Sequence, residues 1–212
     1  AGPRLLPAFP PVLSEYARVA LERLGVDVRT GAMVEDVHAG GVTIGGEAVA
    51  AATVLWGAGV AASPAGRWLG VETDAAGRVP VGDTLEAAGL ERVYVLGDTA
   101  LALDADGAPL PGLAQVAQQQ GRHLGRELKR HVRDGRPLRP FRFRNRGNMA
   151  TIGRNAAVAD FGWLRLRGRP AWFLWGILHV YMLVGFDHRL LVVVQWFWAW
   201  LTYGRGARLI TR

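Results

Sequence analysis

The side chains best placed to do chemistry in this 212-residue chain lie between residues 92 and 121, RVYVLGDTALALDADGAPLPGLAQVAQQQG. Gly97-Asp98 directly follows a β-branched and aromatic run, Val93-Tyr94-Val95, that reads as a buried strand. A strand ending in Gly-Asp lets backbone approach a ligand closely while one carboxylate projects from the strand's carboxyl end. Ligands of open α/β sheets bind at that end. Gln115 and Gln119 follow, four residues apart and so on one face of a helix. An amide can hydrogen-bond a carbonyl-bearing ligand but is a poor proton donor, so a proton must come from another group. His179, inside an apolar run, is a candidate relay and equally a hydrogen-bonded core histidine. Simpler readings stand beside these. Gly-Asp is also an ordinary strand-to-loop turn, and the glutamine face continues into Arg122, Arg126 and Arg133, as a solvated face does.

These residues need elements to position them. Pro111 sits where a helix begins, and Leu113, Ala117, Leu124 and Leu128 form an apolar stripe over a helix from Gly112 to about Arg133. Its first turn follows the Gly-Asp loop, so its free N–H groups favour negative charge on a ligand there. Upstream, Ser14 is placed to cap a helix over 15–24 that Gly25 ends, and residues 26–29 read as a strand. Residues 34–44 read as a hairpin around Gly40-Gly41, with the next turn at Gly45-Gly46. Residues 52–56 look like another buried strand, closed by Gly57-Ala58-Gly59, and Val79-Pro80-Val81 a short edge strand. Downstream, Phe141-Arg142-Phe143-Arg144 alternates, and residues 149–153 and 156–159 follow as strands.

Composition narrows the classes. Half of the residues are hydrophobic, which excludes disorder. The net charge of +7 hides a division: residues 1–121 hold seven Arg against fourteen acids, and residues 122–212 hold seventeen Arg and one Lys against four. Such a basic half suits a polyanion, either anionic lipid or nucleic acid. Nucleic acid is disfavoured, because no paired aromatics share one sheet face around the Arg-Asn-Arg-Gly stretch. The absence of cysteine excludes disulfides, thiolate metal sites and cysteine nucleophiles within the chain, and no metal site is expected.

The C-terminal part is apolar in two pieces, residues 171–186 and 190–203, separated by Asp187-His188-Arg189. Each is shorter than the roughly 20 residues that span a bilayer. Two short helices lying in the membrane interface fit better, with Trp172, Trp175, Trp196, Trp198 and Trp200 at the headgroup boundary and arginines toward lipid phosphates. A hydrophobic dimer interface is the competing expectation, and a homodimer stays open.

VYVLGDTA resembles the second FAD motif of flavoproteins with two dinucleotide-binding domains, and AQVAQQQG resembles the quinone-site helix of the type II, non-proton-pumping NADH:quinone oxidoreductases. The resemblance extends over VLWGAG, GNMATIGRNAAVADF and the tryptophan-rich tail, almost the whole chain. It implies an α/β fold: an incomplete pair of Rossmann-like dinucleotide-binding domains with a C-terminal amphipathic helical membrane anchor. The expected segments are the end of an NADH-binding domain over 1–63, the end of an FAD domain with the quinone-site helix over 64–162, and the anchor over 163–212. FAD is the implied cofactor, NADH the substrate and membrane quinone the acceptor. Gly97, Asp98, Ala114 and Gln115 are expected on FAD; Trp56, Gly57 and Gly59 on the NADH side; and Gln115 with Gln119 at the quinone. The implied location is peripheral (monotopic), on the cytoplasmic face of the cell membrane, against anionic lipid. No GxGxxG pyrophosphate loop occurs in these residues, so the expectation is the C-terminal portion of a longer enzyme. A non-catalytic fragment or membrane-binding module, and a soluble ferredoxin- or disulfide-type reductase, are the alternatives.

Overall fold

The computed structural model describes residues 2–182 and 186–202. In chain order the elements are α1 (Pro11–Arg23), β1 (Val34–His38), β2 (Gly41–Ile44), β3 (Glu47–Ala50), α2 (Ala65–Leu69), β4 (Val79–Pro80), β5 (Ala100–Leu101), α3 (Ala114–Asp134), β6 (Asn148–Gly153), β7 (Ala156–Asp160), β8 (Arg165–Arg167), α4 (Arg169–Met182) and α5 (Phe186–Thr202). They form two compact units, Ala1–Val54 with Gly147–Arg212, and Leu55–Arg146.

In the first unit, β6, β7 and β8 make an antiparallel sheet. Ala157, Val158 and Ala159 of the central β7 are all fully buried, so this strand is covered on both faces. Alternation assigns the faces. Val158, with Ala150 and Ile152, packs on Phe9 and on Leu13 of α1, while Ala157 and Ala159 pack on Ala171 of α4. Alanines on that second face let the helix come close to the sheet. The strands read at 149–153 and 156–159 are therefore present, as is the 34–44 hairpin, which extends through Gly45-Gly46 into the meander β1-β2-β3.

α1 begins earlier than Ser14 implies. Pro11 occupies its first position, and the buried Ser14 hydroxyl donates to Leu6 O at 3.2 Å instead of capping. α4 and α5 are two helices, as expected, but Asp187-His188-Arg189, read as the interruption between them, lie inside α5, which starts at Phe186 and takes Asp187 into its first turn, where a carboxylate is favourable. No described helix is long and apolar enough to cross a membrane.

In the second unit, β4 and β5 pair in parallel. Leu85, Ala102, Leu110, Val116 and Leu124 form one core cluster, and Val79, Ala87, Val95 and Ala100 another. Val93-Tyr94-Val95 is extended but forms only a bridge, Tyr94 opposite Glu86, with Val95 N–H donating to Leu85 O at 3.1 Å.

Two expected strands, 26–29 and 52–56, are not strands. A strand needs a neighbour to take its backbone groups, and no described residue pairs with either segment. Phe141 and Phe143 share a face on the first cluster, as their alternation requires, yet their segment is not a strand either. Side chains of α3 take the place of a neighbouring strand.

Candidate functional site

The site sits where the Gly97–Thr99 turn meets the start of α3, within the second unit. Gly97 has φ +65°, in the left-handed region, and a Cβ added to it would lie 3.2 Å from the Ala117 Cβ. Glycine alone fits both constraints at low cost. Its N–H donates to the Gln120 Oε1 at 2.6 Å, and Gln120 is only 1% exposed. The buried amide therefore pins the turn to the helix. A cleft opens here between Gly97-Asp98 and Pro111-Gly112, with Val116 and Gln120 on its α3 side and Arg78 on the other.

Asp98 is exposed, and among the described residues its carboxylate has no ion-pair or hydrogen-bond partner. A Cβ on Gly112 would come 3.3 Å from the Asp98 Oδ1, so the missing side chain keeps the carboxylate's surroundings open. α3 begins at Ala114 with no side chain capping it, and its first intrahelical donors, Val116 and Ala117, both bond Leu113 O. An uncapped helix start offers N–H groups and a partial positive charge to a ligand. An acceptor carboxylate beside donor N–H groups suits a ligand that carries both hydroxyls and anionic or carbonyl oxygens.

Arg78 is fixed from below. Its Nε and Nη2 hold Asp74 Oδ2 at 2.8 and 2.7 Å, and its Nη1 donates to Leu110 O at 3.4 Å. The Arg78 guanidinium, followed by the Arg78 backbone N–H, holds the Asp74 carboxyl below the usual carboxylate range.

Gln115 and Gln119 face differently from Gln120. Gln119 clasps one residue's backbone: its Nε2 donates to Arg144 O at 2.9 Å and its Oε1 accepts from Arg144 N–H at 3.0 Å. Gln115 Oε1 accepts from Arg146 N–H at 3.2 Å. The row continues at helical spacing. His123 Nε2 meets Arg139 O at 2.9 Å, and Glu127 accepts from Arg139 N–H at 3.0 Å. The Arg139 N–H, aided by the Arg130 charge and opposed by burial, holds the Glu127 carboxyl below its ordinary range. One face of α3 thus does for residues 139–146 what a neighbouring strand would do.

The buried face of α3 carries Val116, Gln120, Leu124 and Glu127, whereas the sequence stripe began at Leu113. Leu113 is the N-cap residue and is partly exposed. Hydrophobic periodicity passed over Gln120, Glu127 and Arg78 because each is polar. The available signal was the register Val116, Gln120, Leu124, four apart in one stripe.

The remaining sequence candidates lie elsewhere. Trp56 is two-thirds exposed, between the exposed Leu55 and Val60, and Gly59 has φ +105°. Trp172, Trp175, Trp196, Trp198 and Trp200 are on α4 and α5, with Trp175 and Trp196 stacked at 5.7 Å between ring centroids. His179 Nδ1 is 2.8 Å from Trp175 O of its own helix.

Residues 1–121 match the family of pyridine nucleotide-disulphide oxidoreductases, and residues 145–206 match the NDH2 C-terminal domain. The chain is 38% identical to the type II NADH:quinone oxidoreductase NdhA of Mycobacterium tuberculosis, over 100% of its own length and 47% of that protein's. It is 35% identical to the type II NADH:quinone oxidoreductase Ndh of the same organism, again over 100% of this chain and 47% of the relative. The chain thus spans about half the length of these curated relatives. In fold it resembles the structure of NDH2 from Plasmodium falciparum in complex with NADH, with a TM-score of 0.79 at 16% identity, covering 100% of this chain and 58% of that one. The chain therefore belongs to the pyridine nucleotide-disulphide oxidoreductase family.

Proposed function

We propose that the protein serves as an FAD-dependent NADH:quinone oxidoreductase that pumps no protons, and that this chain supplies the C-terminal portion of that enzyme. In this reading residues 1–63 end the NADH-binding domain, 64–162 end the FAD domain with its quinone-facing helix, and 163–212 anchor the protein. The observation that carries it is the unpartnered Asp98 carboxylate beside Gly112 and the uncapped start of α3. Two relatives of this chain bear the name type II NADH:quinone oxidoreductase, which supports the same reading.

The chemistry a bound FAD would supply is acceptance of a hydride from NADH and return of its two electrons to quinone, with one proton from that hydride and a second from solvent. The chain's own residues bind and orient. Asp98 accepts hydrogen bonds from hydroxyls of the cofactor, and Gly97 lets the backbone approach it. The start of α3 at Ala114 and Gln115 would hold the part of the cofactor on which negative charge develops, because a helix start favours such charge. Trp56, Gly57 and Gly59 stand on the NADH side. Gln119 retains a second hydrogen on Nε2 after bonding Arg144 O, which can meet a quinone carbonyl, with Gln115 beside it. The basic, tryptophan-rich tail holds the protein peripherally to anionic lipid on the cytoplasmic face of the membrane, where quinone is dissolved.

The test uses protein recovered from its source membranes and expressed with Asp98→Ala. Losing a charge-assisted hydrogen bond weakens FAD retention by about ten- to hundred-fold, read as flavin per protein after gel filtration, and NADH oxidation with a soluble quinone falls with it. Unaltered flavin content in the variant removes Asp98 from the site. Absence of flavin from the native protein removes the oxidoreductase reading and leaves a membrane-binding module.

A further inference from the structure

α4 and α5 run antiparallel, Trp175 against Trp196 and Tyr181 against Arg189, and line an open groove of about 540 Å³. That volume lies within the range of small-molecule sites. From Trp172 to Tyr181 the groove runs about 14 Å at 1.5 Å per residue. Its walls are aliphatic and aromatic, and Arg189 is the one charged side chain lining it among the described residues.

Two apolar helices in water pack together and close such a space. Here ties along the groove set the spacing. At one end the Trp200 indole donates to Asn155 Oδ1 at 3.2 Å, and Arg154 Nη2 donates to Trp200 O, so the β6–β7 turn holds the end of α5. Midway, the Trp175 and Trp196 rings stack with 6° between their planes. At the other end the Arg189 guanidinium lies 5.5 Å from the Tyr181 ring centroid. Gly176 lies in the wall, and a Cβ added there would meet nothing within 4 Å, because it would project into the open groove.

We propose that this groove binds one acyl chain of an anionic phospholipid, with the lipid phosphate on Arg189. The proposal gives a specific partner to the membrane contact read above and rests on that contact, but not on the redox chemistry. Charge complementarity selects the occupant. A long apolar groove with a guanidinium at one end matches an apolar tail with an anionic head. Residues 122–212 carry eighteen Lys and Arg against four acids, so a second copy of this region would bring like charge toward Arg189. A neutral quinone tail offers the guanidinium no anion.

The experiment takes the full chain in neutral detergent, adds phosphatidylcholine or phosphatidylglycerol, and measures retained lipid by native mass spectrometry. Quenching of tryptophan fluorescence by lipid brominated along the chain is measured in parallel. Wild type retains a single phosphatidylglycerol, in preference to phosphatidylcholine, and is quenched by its brominated form. Gly176→Leu, which fills the groove and favours helix, lowers retention about tenfold or more while still sedimenting with phosphatidylglycerol vesicles. Arg189→Gln keeps the groove and lowers the preference for the anionic lipid about fivefold. Equal retention by Gly176→Leu and wild type overturns the proposal. So does equal retention of the two lipids, displacement of phosphatidylglycerol by a neutral long-tailed quinone at matched concentration, or a dimer mass in place of bound lipid. If wild type fails to sediment with phosphatidylglycerol vesicles, the membrane contact and this proposal fall together, while the flavin measurement on Asp98→Ala stands apart.

Discussion

Gln120 shows how much one side chain decides at the site. Its carboxamide is buried and accepts from the Gly97 N–H, so the turn that presents Asp98 depends on it. Gln120→Leu fills similar volume but leaves that N–H without its acceptor, at a cost of about 1–3 kcal/mol. Urea unfolding should show this as a lower midpoint with an unchanged slope. Gly112→Ala acts from the other side. A methyl 3.3 Å from Asp98 Oδ1 displaces the carboxylate slightly without altering its charge. If Asp98 holds the cofactor, this variant loses flavin although every ionisable group is retained; full flavin content would show that the carboxylate's position is not critical. The sequence exposed Gly97 and Asp98 through their types and order. Gln120 stayed hidden, because a polar residue in an apolar stripe looks like a break in the pattern until its partner is known.

Among the elements, α3 has the widest reach. Its Gln115, Gln119, His123 and Glu127 hold the extended segment 139–146 by backbone hydrogen bonds. Glu127 makes this attachment sensitive to acid. Its folded carboxyl titrates below the unfolded one, so its stabilising effect is complete above the ordinary glutamate value of about 4.3. That effect is lost as pH falls through the folded value. Hydrogen exchange at the Arg139 amide should therefore speed up, relative to a core amide, on acidification in wild type. In Glu127→Gln the acceleration should be absent; an identical acid response would exclude Glu127 as its source.

The β6–β7 turn offers a second test on this scale. Asn155 has φ +64°, and its Oδ1 accepts from the Trp200 indole. Asn155→Gly loses only the hydrogen bond, whereas Asn155→Ala adds about 1 kcal/mol or more of backbone strain. Thermal unfolding should rank wild type, then Gly, then Ala; equal loss in both variants would mean the backbone conformation contributes nothing.

For the whole molecule, the division into two compact units bears on how it unfolds. The first unit is discontinuous, with Leu55–Arg146 inserted between its halves. Six of the eight tryptophans lie at 163–200, and only Trp56 and Trp68 belong to the second unit. Tryptophan fluorescence thus follows mainly the first unit, while far-ultraviolet circular dichroism also follows the long α3 of the second. The two probes should give transitions that do not coincide. Gln120→Leu should move the dichroism transition and leave the fluorescence one nearly in place. Superimposable curves in both proteins would show that the units unfold as one.

The sequence by itself determined what depends on neighbours along the chain. The β6–β7 and β1–β2 hairpins, the helix after Pro111 and the Gly97-Asp98 turn all follow from local pattern, because their hydrogen bonds close within a few residues. The family could also be read there, since its motifs are contiguous runs. The charged triplet Asp187-His188-Arg189 misled as a helix break, since it lies inside α5. Only the tertiary structure decided which residues met across distance. Residues 141–144 look like a strand by alternation, but the backbone around them is held at Arg139, Arg144 and Arg146 by side chains of α3. Residues 52–56 look like a buried strand, but a strand exists only where another lies beside it. The α4–α5 groove needs Asn155, Trp200, Tyr181 and Arg189 held at once, and no local rule brings a turn, two aromatic rings and a guanidinium together. Periodicity tells a residue which way to face, and packing alone supplies what it finds there.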